Sequence, residues 1–85
     1  MLQRSQLEQI VRDTVYEVAG VRIDDRDQHL LSDKSRIMPV DFLYIFDRLE
    51  KQLHCQVYTI LQQHDYSVLT IANLASALEA LLQEA

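Results

Sequence analysis

The chain has little that bends, breaks or cross-links a backbone: its 85 residues include one Gly, one Pro, one Cys and no Trp. Each scarcity excludes something. A lone Cys55 cannot build an intramolecular disulfide framework or a cysteine-based zinc site, and it suits a reducing compartment, so the expected location is the cytoplasm. With only Gly20 and Pro39 there are too few turn signals for a sheet protein and no glycine-rich loop to cradle a nucleotide. No apolar run approaches the roughly 20 residues of a membrane span. Met1-Leu2-Gln3-Arg4 leads into a polar stretch rather than the apolar centre of a secretory signal. Basic blocks are absent too. A formal net charge of -5 and a pI near 4.9 argue against affinity gained by neutralising phosphates. Neither nucleic acid nor a membrane is therefore an expected partner.

What remains is globular in composition, with 48% hydrophobic and 25% charged residues. One hydrophobic core uses most of this length, so residues 1–85 are read as a single domain of the all-α class. Ser5-Gln6-Leu7-Glu8 has the spacing of a capping box, and Leu7, Ile10, Val11, Val15 and Val18 follow on one side, which predicts a first helix. Gly20 can adopt the left-handed conformation that follows a helix end, placing the stop at about Ala19. From Val21 to Met38 the apolar residues lose their periodicity and Asp24, Asp25 and Asp27 interleave with Arg22 and Arg26, which predicts a long connection. A connection of that length must be pinned by apolar side chains, with Leu30, Leu31 and Ile37 as the candidates.

Pro39 fits the first position of a second helix, where its fixed φ helps and its missing N–H is not needed. Val40, Leu43, Phe46, Leu49 and Leu53 recur at helical spacing there, and Phe42 and Ile45 widen the stripe, so much of this helix is expected to be covered. Asp41, Asp47, Arg48, Glu50 and Lys51 mark its wet side. A short third helix is expected between Val57 and about His64. Thr70 then caps a final helix with Ile71, Leu74, Ala75, Leu78, Leu81 and Leu82 facing inward. The expected architecture is a bundle of three long helices and one short one, with a long loop between the first and second.

The run from Pro39 to Val57, Pro-Val-Asp-Phe-Leu-Tyr-Ile-Phe-Asp-Arg-Leu-Glu-Lys-Gln-Leu-His-Cys-Gln-Val, resembles the second helix of the acyl carrier protein family. That helix typically opens Ser-Leu-Asp-x-Val-Glu-Leu and closes Leu-Glu-Glu-x-Phe-x-Ile-x-Ile. Val40 takes the place of the leucine after the carrier serine, Asp41 the acid that follows, Leu49-Glu50 the later Leu-Glu, and Leu53 the closing aromatic. Leu69-Thr70-Ile71-Ala72-Asn73-Leu74 is similar to the segment that opens the family's last helix. The resemblance implies an acyl-carrier-like four-helix bundle. It also implies a 4'-phosphopantetheine arm on a serine at the start of helix two, but Pro39 stands there, and proline has no hydroxyl to carry one. In a competing register, Leu31-Ser32-Asp33-Lys34-Ser35 resembles the family's Leu-Gly-x-Asp-Ser, which would make Ser35 the arm site of a genuine carrier. Lys34 and Arg36 depart from the motif in that register, and helix two becomes too long for the downstream match.

An acyl-carrier-like chain without the motif, with Ile37-Met38-Pro39 and an acid two residues on, is similar to the acyl carrier-related proteins of peptide maturation systems of the bacteriocin type. That resemblance implies a non-enzymatic docking module without cofactor, whose partner is a modifying enzyme or a precursor peptide. Carrier proteins present helix two to their partners, which makes Asp41, Tyr44, Asp47, Arg48 and Lys51 the expected partner-binding residues. Exposed charges on a helix are most often only a solvated face, whereas Tyr44, an aromatic amid charges, is of the type enriched at interface hot spots. A third reading, an all-helical adaptor unrelated to carriers, predicts a connection that does not lie across the bundle.

The remaining polar groups do not assemble a catalytic or metal-binding pattern. His54-Cys55 are neighbours at a helix end with no third ligand in view, and Cys55 is expected to be an inert core thiol. His29 and His64 have nothing at ligand spacing. Asp24, Asp25 and Asp27 lack the glycine and terminal glutamate of a calcium loop. Independent catalysis is not expected.

Overall fold

Gly20 and Pro39 punctuate the chain as their backbone chemistry requires. In the computed structural model, which describes residues 2–84, the first helix α1 spans Arg4–Ala19 and ends at Gly20 with φ 70°. The Gly20 N–H closes back on the Tyr16 carbonyl at 2.9 Å, a contact that the left-handed conformation makes possible. Pro39 is the first residue of α2, Pro39–Leu53. A short α3, Thr59–Gln63, and a closing α4, Ile71–Glu84, follow, with 3₁₀ turns at Asp33–Ser35 and Tyr66–Val68. The Thr70 hydroxyl accepts from the Asn73 N–H at 3.0 Å and so caps α4. The described residues thus form four α-helices and no strand.

α1 lies against both α4 and α2, and one apolar cluster fills the space between them. Leu7, Val11 and Val15 of α1, Ile45, Phe46 and Leu49 of α2, and Ile71, Leu74 and Leu78 of α4 are among its fully covered members, together with Leu30, Val57 and Ile60 from the connecting segments and α3. Phe42 and Phe46 meet edge to face at 6.2 Å, and Tyr58 meets Phe46 at 5.6 Å, which ties the segment before α3 to α2. The radius of gyration, 11.6 Å, matches the value of about 12 Å for a compact chain of this length.

Three expectations are corrected. The cap of α1 is not at Ser5 but two residues earlier, at Gln3: the helix begins at Arg4, and the Gln3 N–H donates to Gln6 Oε1 at 2.7 Å. Glu8 is unavailable to Ser5, because it is nearly buried and paired through both oxygens with Arg26, at 2.7 and 3.0 Å. In the long loop, Leu30 and Ile37 are buried, but Leu31 is 40% exposed, and Ile23 is the third pin. The Leu30 N–H donates to the Leu69 carbonyl at 2.8 Å, which turns Leu30 inward and leaves its neighbour facing out.

The third correction concerns α2. Its covered face is Phe42, Ile45, Phe46, Leu49 and Leu53, whereas Val40 and Leu43 lie outside it. Both sets fit helical spacing, so periodicity could not choose between them. The aromatic pair, with more surface to bury, takes the inside.

The loop also crosses to the far end of the bundle. The Arg26 carbonyl accepts from the Ala72 N–H at 3.0 Å, within the first turn of α4. His29 Nε2 meets the Tyr66 carbonyl at 2.9 Å, and its ring stands edge-on to Tyr66 at 5.7 Å. Arg12 holds the other end of the loop, donating from Nε to the Ile23 carbonyl at 3.1 Å.

Candidate docking surface

Because Phe42 and Phe46 of α2 turn inward, its outer face keeps a mixture of apolar and charged side chains. Met38, Val40, Leu43 and Tyr44 are each between 53% and 63% exposed. Single exposed apolar residues are ordinary, but four within seven consecutive positions form a patch of the kind that marks an interaction site.

Beside this patch lies an open groove of about 520 Å³ between α1 and α2, lined by Glu17, Tyr44, Asp47, Arg48, Lys51 and Gln52. Its charges are already matched. Arg48 Nη1 meets Glu17 Oε2 at 2.6 Å across the two helices, and Lys51 Nζ meets Asp47 Oδ2 at 3.0 Å one turn away along α2. Gln52 Nε2 donates to Thr14 Oγ1 at 3.0 Å, and that hydroxyl donates to the Ile10 carbonyl at 2.8 Å, so the floor of the groove is fixed from α1. Such exposed ion pairs contribute about 0–1 kcal/mol each, which makes them easy to exchange for a partner's charges.

The structure therefore gathers Tyr44, Asp47, Arg48 and Lys51 at one place and leaves Asp41 outside it. Asp41 Oδ2 accepts from the Met38 N–H at 3.1 Å, so this acid serves the start of α2. Glu17 and Gln52 were not among the candidates. Glu17 reaches Arg48 across 31 positions of sequence, a pairing with no local signature. Val40, Leu43 and Met38 were legible as apolar but not as exposed.

Pro39 is exposed at the first turn of α2. Ser35 is the opposite case, with no exposed surface. Its Oγ donates to the His29 carbonyl at 2.8 Å and accepts from Gln28 Nε2 at 2.8 Å, with Ser32 Oγ at 3.4 Å. A hydroxyl so placed must leave both partners before it can attack anything in solvent. Arg36, just after it, holds φ 56°, a conformation uncommon for a side-chain-bearing residue.

Cys55 is half-buried against the core, and burial, followed by the Glu50 carboxylate, pushes its thiol up and disfavours the reactive thiolate. His54 caps the end of α2 in the left-handed conformation, with φ 55°, and its ring is exposed. The His64 N–H closes α3 on the Ile60 carbonyl at 3.0 Å. Asp25 Oδ1 accepts from the Asp27 N–H at 2.9 Å, a turn contact local to the loop. The Ser67 hydroxyl and backbone N–H hold the Asp65 carboxyl below its usual range. Among the described residues, no three His, Cys, Asp or Glu side chains come together as a metal site would require. None of the α-helices is long and apolar enough to cross a membrane.

Comparison with known protein families, with curated proteins and with solved structures finds no match to any of them.

Proposed function

We propose that this chain is a non-enzymatic docking module of acyl-carrier-like architecture, working without a phosphopantetheine arm and presenting α2 to its partner. The observation that carries this reading is the outer face of α2, where Met38, Val40, Leu43 and Tyr44 stay exposed beside the charge-paired groove. An apolar cluster rimmed by exchangeable ion pairs is the surface anatomy of a protein contact. The carrier-like part of the reading is supported by the loop, which crosses from α1 to the first turn of α4, where an unrelated adaptor need not place it. The armless part is supported by two placements. Pro39 occupies the expected arm position, and Ser35 is enclosed with both hydrogen-bonding roles of its hydroxyl in use. The partner class, a modifying enzyme or precursor peptide of a peptide maturation system, rests on the sequence resemblance of residues 31–41.

A photo-crosslinking residue placed at Leu43, and for contrast at Gln63 of α3, tests the docking face in extracts of the source cells. The expected result is a discrete crosslinked protein from position 43 that is absent from position 63 and is lost when Val40→Glu is added to the same folded chain. Equal crosslinking from both positions, or indifference to Val40→Glu, would remove α2 as the docking surface.

A further inference from the structure

We propose that the depression between the outer side of α1 and the start of the long loop binds an oxyanion, a carboxylate or phosphate group held between Arg12 and Arg22. This site shares no lining residue with the groove on α2.

The depression measures about 390 Å³, and both arginines line it. Three other arginines of the chain are committed to carboxylates: Arg4 to Glu79, Arg26 to Glu8 and Arg48 to Glu17. Arg12 and Arg22 close no ion pair among the described residues. Arg12 is instead fixed by backbone, Nε to the Ile23 carbonyl at 3.1 Å and Nη2 to the Asp24 carbonyl at 3.4 Å. A guanidinium has five N–H donors, so the larger part of this one remains uncommitted while its plane is already set. The Arg22 guanidinium carbon lies 5.5 Å from the centre of the Tyr16 ring, a cation–π contact that uses the face of the ring rather than a carboxylate. Two guanidinium forks lining one depression, the Arg12 fork already held in place, suit a planar or tetrahedral oxyanion, which accepts from both.

Two acids share the lining, Asp13 and Asp24. Asp13 Oδ1 accepts from Gln9 Nε2 at 2.9 Å, and neither acid pairs with Arg12 or Arg22. Their charge keeps the affinity modest and makes the geometry of the forks, rather than net charge, the source of selectivity. A ligand charge here also meets the point at which Arg12 of α1 grips the Ile23 and Asp24 carbonyls of the loop, so binding would tighten the loop's entry.

The test is an NMR titration of the full chain, following backbone amides and arginine Nε–Hε signals. Inorganic phosphate is used in one arm and acetylated triglutamate in the other, at constant ionic strength with chloride as the control. The expected result is saturable shifts at Arg12, Arg22 and the amides of residues 9–24, with the arm that saturates first identifying phosphate or carboxylate as the ligand. Arg22→Gln should weaken that binding about fivefold, the scale of one exposed charge-assisted contact, and Arg22→Lys should restore part of it. Arg12→Gln also loosens the loop, so the Arg22 variants decide. Shifts that match the chloride control, that spread equally to the exposed Lys34 and Arg36, or that survive Arg22→Gln would overturn the site.

Discussion

α4 and α2 are of nearly equal length and both amphipathic, yet they use their apolar residues differently. α4 turns Ile71, Leu74 and Leu78 fully into the core, and of its large apolar side chains among the described residues Leu81 and Leu82, at its end, are the ones partly open. α2 buries five apolar residues and leaves Val40 and Leu43 more than half exposed, with Met38 just ahead and Tyr44 beside them. The difference teaches that a helix with a single apolar stripe has one way to pack, whereas a helix with more apolar residues than one side can cover must display the surplus. In α4 the surplus is small alanines. In α2 it is large side chains next to ion pairs, which is where the docking proposal begins.

Truncation in the two helices should break the comparison most visibly. Leu74→Ala is expected to destabilise the chain by about 2–5 kcal/mol through lost burial and a cavity, while Leu43→Ala should stay within about 0.5 kcal/mol. Urea unfolding followed by circular dichroism measures both, and equal losses would mean that the outer face of α2 is covered. Next in size is Ser35→Ala, expected to cost about 1–2 kcal/mol because Gln28 Nε2 and the His29 carbonyl lose a shared partner in a buried place. An unchanged midpoint would show that the hydroxyl is free to leave.

His54→Gly should move in the other direction. Its φ of 55° at the end of α2 favours glycine, so the variant gains about 0.5–1 kcal/mol, and a loss would contradict the left-handed cap. The smallest effect is a pH dependence at Asp65, which opens the Tyr66–Val68 turn. Asp65 has a lowered folded-state pKa, so its contribution is complete above the ordinary carboxylate range and declines as pH falls through the folded value. Asp65→Asn should therefore narrow its stability difference from the parent as the pH is lowered toward the acid limb; a difference that widens there would reverse the sign.

Three of the helix boundaries were legible because they rest on local chemistry. Gly20 ends α1, Pro39 begins α2 and the Thr70 hydroxyl caps α4, each through contacts made within a few residues. What was not legible depends on partners far along the chain. Glu8 fits a capping box by spacing but belongs to Arg26, 18 positions away. Leu30 and Leu31 are equivalent in sequence until the Leu69 carbonyl selects the first. The inward face of α2 was chosen by aromatic packing that involves Tyr58, beyond the helix itself. The candidate surface was half legible for the same reason: Tyr44, Asp47, Arg48 and Lys51 sit on one helix and could be grouped by spacing, whereas Glu17 joins them only through tertiary structure.

The central claim, a carrier-like module without its arm, is tested most directly by intact mass. The full chain and its Ser35→Ala variant are incubated with coenzyme A and a broad-specificity phosphopantetheinyl transferase, alongside a known carrier protein as a positive control. The account predicts that both chains keep their mass while the control gains one phosphopantetheine. A gain of that mass by the parent chain, abolished in Ser35→Ala, would contradict it and make Ser35 the site of a working arm.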